Sequence, residues 1–188
     1  VTSLGFPWVI VSRVLFFWPF LFLGGVSSYA LVMHFVKNRQ FVWLGPLVYL
    51  SNTYILMLAS GGQMGLVLSY AIAPLVLLSF IKKQGLLLAV SAILMVLFDL
   101  RFTYILSIVA LLYVIMVIPM SKWFATLKFM LPAVVLTLGF HSIWIVPSIL
   151  SRSFHLPEGY GDPVWLSYLS WADFSKTFSL LHPNWPDN

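Results

Sequence analysis

The stretch from Tyr49 to Phe80 constrains this chain most: two uncharged apolar runs are joined by a small polar hinge, Ser60-Gly61-Gly62-Gln63. As a helix, each run approaches the roughly 30 Å thickness of a bilayer's hydrocarbon core. Backbone N–H and C=O groups cannot go unpaired in hydrocarbon, so the runs must be helical and the hinge must lie at a membrane face. Composition agrees. With 61% hydrophobic and 8% charged residues in a chain of 188, a water-soluble fold would have to leave apolar side chains over most of its surface. The chain reads as all-α, a polytopic transmembrane helix bundle.

About six spans are expected. The first apolar stretch, Trp8 to Val36, contains Pro19 and the Gly24-Gly25 pair, which should kink or break it near its middle. The second, Phe41 to Ala59, has Pro46 in its early turns, where a missing amide hydrogen costs least. The third, Met64 to Ile81, holds Pro74 at its centre, and that proline should kink the helix and free a carbonyl. The fourth, Gly85 to Phe98, rises only about 21 Å, which brings Asp99 and Arg101 to the membrane interface or below it. Phe102 to Met120 and Phe129 to Leu150 complete the bundle. Residues 1–150 thus form a membrane domain and residues 151–188 a polar, aromatic-rich tail. The chain starts at Val1 and stops in polar sequence, so it is expected to be a piece of a longer protein.

Charge sets the orientation. With alternate loops on opposite sides, Lys37, Arg39, Lys82, Lys83, Lys122 and Lys128 fall on one face, together with no acid. By the positive-inside rule that face is cytoplasmic, which makes the chain an integral protein of the cytoplasmic (inner) membrane with an extracytoplasmic tail. In that tail, Ser170 and Asp173 have capping-box spacing before Phe174, Phe178 and Leu181, the pattern of a short amphipathic helix on the outer surface. The net charge of +5 comes from cations scattered between apolar runs, so it signals topology and not a nucleic-acid partner. No cysteine is present, which removes disulfides, thiolate nucleophiles and cysteine-ligated metals.

Candidate binding residues are the polar groups left at membrane depth, because such groups are costly unless paired or facing water. Asp99 and Arg101 either form an ion pair that caps a short hairpin or offer the Arg101 guanidinium to an anion such as a phosphate. Gln63 follows a glycine turn at the start of the third span, where free amide hydrogens suit an anion as well as a plain turn. His141 either bonds a neighbouring helix or acts as a base beside a sugar-stacking Trp144. Arg152 lies just beyond that span. The tail residues His155, Glu158, Asp162, Asp173, His182 and Asp187 match no metal-ligand spacing, and no Walker, Rossmann or nucleophile-elbow motif appears.

Several apolar motifs occur in a characteristic order. They are Gly25-Val26-Ser27-Ser28-Tyr29-Ala30-Leu31, Tyr49 with Asn52-Thr53-Tyr54, Gly62-Gln63, Tyr70-Ala71-Ile72-Ala73-Pro74-Leu75 and Trp144-Ile145-Val146-Pro147. The tail adds Phe178-Ser179-Leu180-Leu181-His182-Pro183-Asn184-Trp185. This series resembles the membrane half of family C glycosyltransferases. It is similar in particular to prokaryotic membrane proteins labelled 6-pyruvoyl-tetrahydropterin-synthase-related, and more remotely to arabinofuranosyltransferase-like and YfhO-like proteins. The resemblance implies a polyprenyl-phosphate sugar donor, a glycan acceptor, membrane lipid as partner and a working face outside the cell. It also implies that the acidic catalytic residues precede Val1, with Mg or Mn assisting in the full-length protein and no cofactor in this segment. Arg101 and Arg152 would then face the lipid phosphate. A transporter or lipid flippase subunit, and a non-catalytic membrane scaffold, are the alternatives.

Overall fold

The computed structural model of the chain describes residues 7–150, apart from the side chains at positions 8, 9 and 54. Within them every regular element is helical: α1 (Trp8–Ser12), α2 (Trp18–Phe35), α3 (Leu44–Leu50), α4 (Thr53–Ser60), α5 (Met64–Ile81), α6 (Gly85–Phe98), α7 (Leu100–Val117) and α8 (Trp123–Leu150). Four stretches, Ile10–Phe35, Met64–Ile81, Leu100–Val117 and Met120–Leu150, are long and apolar enough to cross a membrane, and Gly85–Phe98 is a shorter apolar helix. The third and fourth expected runs coincide with α5 and α6. The tail helix and the domain from residue 151 onward lie outside the described residues.

Two expectations need correction. The second run is not one helix. It breaks at Ser51-Asn52 into α3 and α4, preceded by a 3-10 turn at Arg39–Phe41. Serine and asparagine disfavour helix interiors because their side chains compete for nearby backbone groups. Asn52 starts the next helix, its carbonyl accepting from the Leu56 amide at 3.1 Å. In the first run, the Gly24-Gly25 pair does not break the helix. The irregularity is a π-helical turn at Arg13–Phe17, where the Trp18 amide bonds to the Arg13 carbonyl five residues back. Pro19 sits just beyond, at the start of α2. A proline ring clashes with the carbonyl four residues earlier, and widening that turn to π relieves the clash.

α5 is the central helix. It packs against α2, α4, α6 and α7, and α8 is reached through α6. Phe20, Ile55, Val67, Leu68 and Ala71 form the core between α2, α4 and α5, while Ile72, Val76, Phe80, Leu88, Ala89, Met95 and Ala133 form the core between α5, α6 and α8. Close approach depends on glycine. A methyl group at Gly24 would lie 2.9 Å from the Leu50 side chain, and one at Gly65 would lie 2.7 Å from the Phe98 carbonyl oxygen. Small residues let helices pack closely in a medium that supplies little hydrophobic drive for association.

The outer helices carry the opposite pattern. No residue of α7 is buried, and Ile105, Ile108, Leu111, Leu112 and Ile115 are all exposed. A helix apolar on every face and exposed on most of them among the described residues suits an apolar solvent. Hydroxyls at several helix positions are satisfied locally, whereas the buried Thr103 hydroxyl of α7 has no hydrogen-bond partner among the described residues. Ser79, Ser91, Ser107, Thr126 and Thr137 each bond the carbonyl four residues back along the chain, so no donor is left unpaired at those positions.

The charges separate to two ends of the bundle. Gly85 lies beside Phe129, and Phe80 contacts Tyr113, which gathers the turns after α5 and α7 at one end with Lys82, Lys83, Lys122 and Lys128. α2 runs parallel to α5, since Gly24 meets Ala71 while Phe16 and Phe17, earlier in the chain, share a cleft with Met64 at the start of α5, so Lys37 and Arg39 belong to that end too. Asp99 and Arg101 lie at the other end, where Gly65 meets Phe98.

Candidate functional site

At that second end, α6 and α7 meet at a single residue. Asp99 is extended (φ −161°, ψ 122°) and serves as the N-cap of α7, its Oδ1 accepting from the Arg101 amide at 2.8 Å. The Arg101 guanidinium returns to the same carboxylate, with Nη2 donating to Oδ2 at 2.7 Å and Nε donating to both oxygens at 3.1 Å. The extended residue and the first helical turn therefore place the two side chains on one side. From α5, the buried Ser69 hydroxyl reaches the Asp99 and Met95 carbonyls, both at 3.2 Å. The corner is fixed at both backbone and side chain.

The pair is asymmetric. The Asp99 side chain is only 11% exposed, whereas Arg101 is 68% exposed. Hydrogen bonding from the Arg101 guanidinium holds the Asp99 carboxyl below the usual carboxylate range, outweighing the opposing effect of its burial. An ion pair with one arm in solvent contributes at most about 1 kcal/mol, comparable with the N-cap that the same carboxylate provides. The arrangement is an anchored carboxylate presenting an oriented guanidinium outward. Gln63 is the exposed N-cap residue of α5 at the same end, and its side chain makes no capping hydrogen bond.

His141 is buried on α8. Trp144 Nε1 donates to His141 Nδ1 at 3.0 Å, so Nδ1 carries no proton. Nε2 then holds the proton and donates to the Ile93 carbonyl of α6 at 3.1 Å. Both ring nitrogens are committed, and the imidazole ties α8 to α6. Trp144 is held by the same bond. Arg152 lies outside the described residues.

The most elaborate polar cluster surrounds Pro74. Proline lacks the amide that would bond the Tyr70 carbonyl. Two side chains from other helices donate to carbonyls of this turn. The Tyr49 hydroxyl donates to Tyr70 O at 2.6 Å, and the Ser27 hydroxyl donates to Ala71 O at 2.6 Å. In return, the Tyr70 hydroxyl donates to Tyr49 O at 2.8 Å, a carbonyl released by the break after α3. The two rings stack at 4.1 Å with 9° between planes, and Phe102 meets Tyr70 edge-on at 5.6 Å. Each tyrosine closes the backbone gap of the other's helix. The sequence motifs at 25–31, 49–54 and 70–75 thus converge on one place.

The described residues define an α-helical bundle with four helices of membrane-spanning length and apolarity and with its charges at two ends. No protein-family model, curated protein or solved structure matches the chain. Reasoning from sequence singled out Asp99, Arg101, His141 and Trp144, which the structure assembles as two separate pairs. It overlooked the role of Tyr49 and Ser27. A signal existed in the proline at position 74, whose freed Tyr70 carbonyl requires a donor from elsewhere, but sequence cannot say which donor arrives.

Proposed function

We propose that this chain is the membrane segment of a glycosyltransferase that uses a polyprenyl-phosphate-linked sugar and works at the extracytoplasmic face of the cytoplasmic membrane. In this reading the bundle crosses the membrane about six times: α3 with α4 counts as one broken crossing, α6 as one short crossing, and the lysine-bearing end faces the cytoplasm. The supporting observation is the outward-facing guanidinium of Arg101, held by a nearly buried carboxylate at the end of the bundle opposite the lysines. A polyprenyl phosphate leaves with developing negative charge, and a pre-oriented cation at the interface would stabilise it without reorganising during the reaction. A carboxylate elsewhere in the full protein would activate the acceptor hydroxyl. The described residues contain no group of three His, Asp or Glu side chains able to hold Mg or Mn, so no step is assigned to a metal.

The test is sugar transfer from a defined polyprenyl-phosphate donor by the membrane-inserted full protein. Arg101→Gln is expected to lower kcat by about 10²-fold, as loss of a charge-stabilising donor does elsewhere. Asp99→Asn keeps the cap but loosens the guanidinium, and should give a smaller loss. Unchanged transfer in Arg101→Gln removes this residue from the site. A second reading, a transporter or lipid flippase subunit, draws on the interrupted α3–α4 and the proline inside α5, since discontinuous helices build transport sites near the midplane. Against it, the carbonyls opened at Tyr49 and Tyr70 are already taken by hydroxyls and not presented to a cavity. Counterflow of labelled lipid in vesicles lacking any sugar donor would favour that reading.

A further inference from the structure

The first apolar run carries one charge of its own, Arg13, within the π-helical turn. That turn and the α4–α5 hinge enclose an open cleft of about 830 Å³, lined among others by Ser12, Arg13, Phe17, Leu56, Ser60 and Met64. We propose that this cleft binds a phosphate-bearing lipid of the outer leaflet, with the anionic headgroup on Arg13 and the hydrocarbon chain along Phe17, Leu56 and Met64.

Depth is the first argument. From Arg13 to Phe35 the helix rises about 33 Å, one hydrocarbon thickness, and Lys37 and Arg39 follow at the far end. Arg13 therefore lies where the opposite layer of lipid phosphates lies. Charge is the second. Arg13 is exposed and makes no ion pair among the described residues, whose one carboxylate, Asp99, is held by Arg101. An interfacial arginine without an internal partner is satisfied by a phosphate, which its forked donors fit. The start of α5 adds to the same field, because Met64 lines the cleft and the Gln63 side chain leaves that helix end uncapped. Shape is the third argument. A soluble anion needs only the polar groups, whereas the lining also contains the aromatic and aliphatic side chains of Phe16, Phe17 and Leu56, which suit an attached chain.

This inference is independent of the glycosyltransferase reading, and its test needs no sugar. The delipidated full chain in detergent is heated with dioleoylphosphatidylglycerol, with glycerol 3-phosphate as headgroup alone, or with dioleoylglycerol as chains alone. At a hundredfold over Kd, the phospholipid is expected to raise the unfolding midpoint by about 5 to 10 °C, and the two fragments to do little. Arg13→Gln should abolish most of that rise. Leu56→Trp, which fills the apolar wall but leaves the charge, should reduce it as well, and Arg39→Gln, at the opposite end, should retain it. Four results overturn the proposal: no rise with the phospholipid, an equal rise in Arg13→Gln, a matching rise with glycerol 3-phosphate, or a lower midpoint for Arg13→Gln before any lipid is added. The last would mean that Arg13 serves a carboxylate of the chain itself.

Discussion

If Tyr49 is present to satisfy a carbonyl that Pro74 leaves open, the effects of the two residues on stability must depend on each other. Tyr49→Phe removes the hydroxyl that donates to Tyr70 O at 2.6 Å but keeps the ring stacked at 4.1 Å and leaves the reciprocal bond from Tyr70 intact. A buried carbonyl deprived of its donor costs about 1–3 kcal/mol, while measured polar contacts between membrane helices reach about 1.7 kcal/mol. The expected loss is about 1.5 kcal/mol. Pro74→Ala restores the amide that can bond Tyr70 O within α5, so Tyr49→Phe made in that background should cost less than about 0.5 kcal/mol. The coupling energy of the cycle is then about 1 kcal/mol. Reversible unfolding in mixed micelles, followed by far-ultraviolet circular dichroism over increasing denaturing detergent, measures all four corners. Additivity within about 0.3 kcal/mol would refute the assignment of the Tyr49 hydroxyl to the proline gap.

Gly65→Ala should destabilise the bundle by about 2 kcal/mol, because its methyl meets the Phe98 carbonyl at 2.7 Å; Gly139→Ala, with nothing within 4 Å, should be neutral or stabilising by up to about 1 kcal/mol in the same unfolding assay. Because the folded carboxyl of Asp99 titrates below its unfolded value, its contribution is present above about pH 4 and is lost as pH falls through the lowered folded pKa. Stability measured from pH 7 to pH 2 should lose that component in Asp99→Asn. His141→Ala should cost about 1–3 kcal/mol by leaving the Ile93 carbonyl and the Trp144 indole without partners, and His141→Gln should recover part of it. The 188 residues contain no cysteine, so single-cysteine labelling of this chain has no background: Lys83→Cys and Lys122→Cys should react with an impermeant reagent from one side of sealed vesicles, and Arg101→Cys from the other. Labelling of all three from one side would contradict the charge-separated topology.

Much of the fold was legible locally. α5 and α6 follow the bounds of their apolar runs because a helix in hydrocarbon starts and stops where polar residues allow its ends to meet water, and Gln63, Lys82, Gln84 and Asp99 mark those places. The break at Ser51-Asn52 was less legible, since the surrounding residues are apolar enough to read as one continuous span. The helix yields there because the Tyr49 carbonyl has a donor waiting in Tyr70, and that donor belongs to another helix. The asparagine alone did not decide it. Asp99 and Arg101 were visible as a pair, but which partner would be buried depended on Gly65 and Ser69 bringing α5 against the corner. For His141, the sequence left a base and a helix tether both open. The commitment of its two nitrogens to Trp144 and Ile93 describes the tether.

The linear chain by itself determined the solvent, the helical backbone and the separation of lysines from the acidic corner, because hydropathy and charge act on each segment separately. Tertiary structure alone decided where the helices give way and what fills the gaps. A carbonyl freed by a proline or by a break in a span must find its donor across the bundle, and only the packed arrangement brings Tyr49 to the Tyr70 carbonyl that Pro74 leaves open and Ser27 to the neighbouring Ala71 carbonyl.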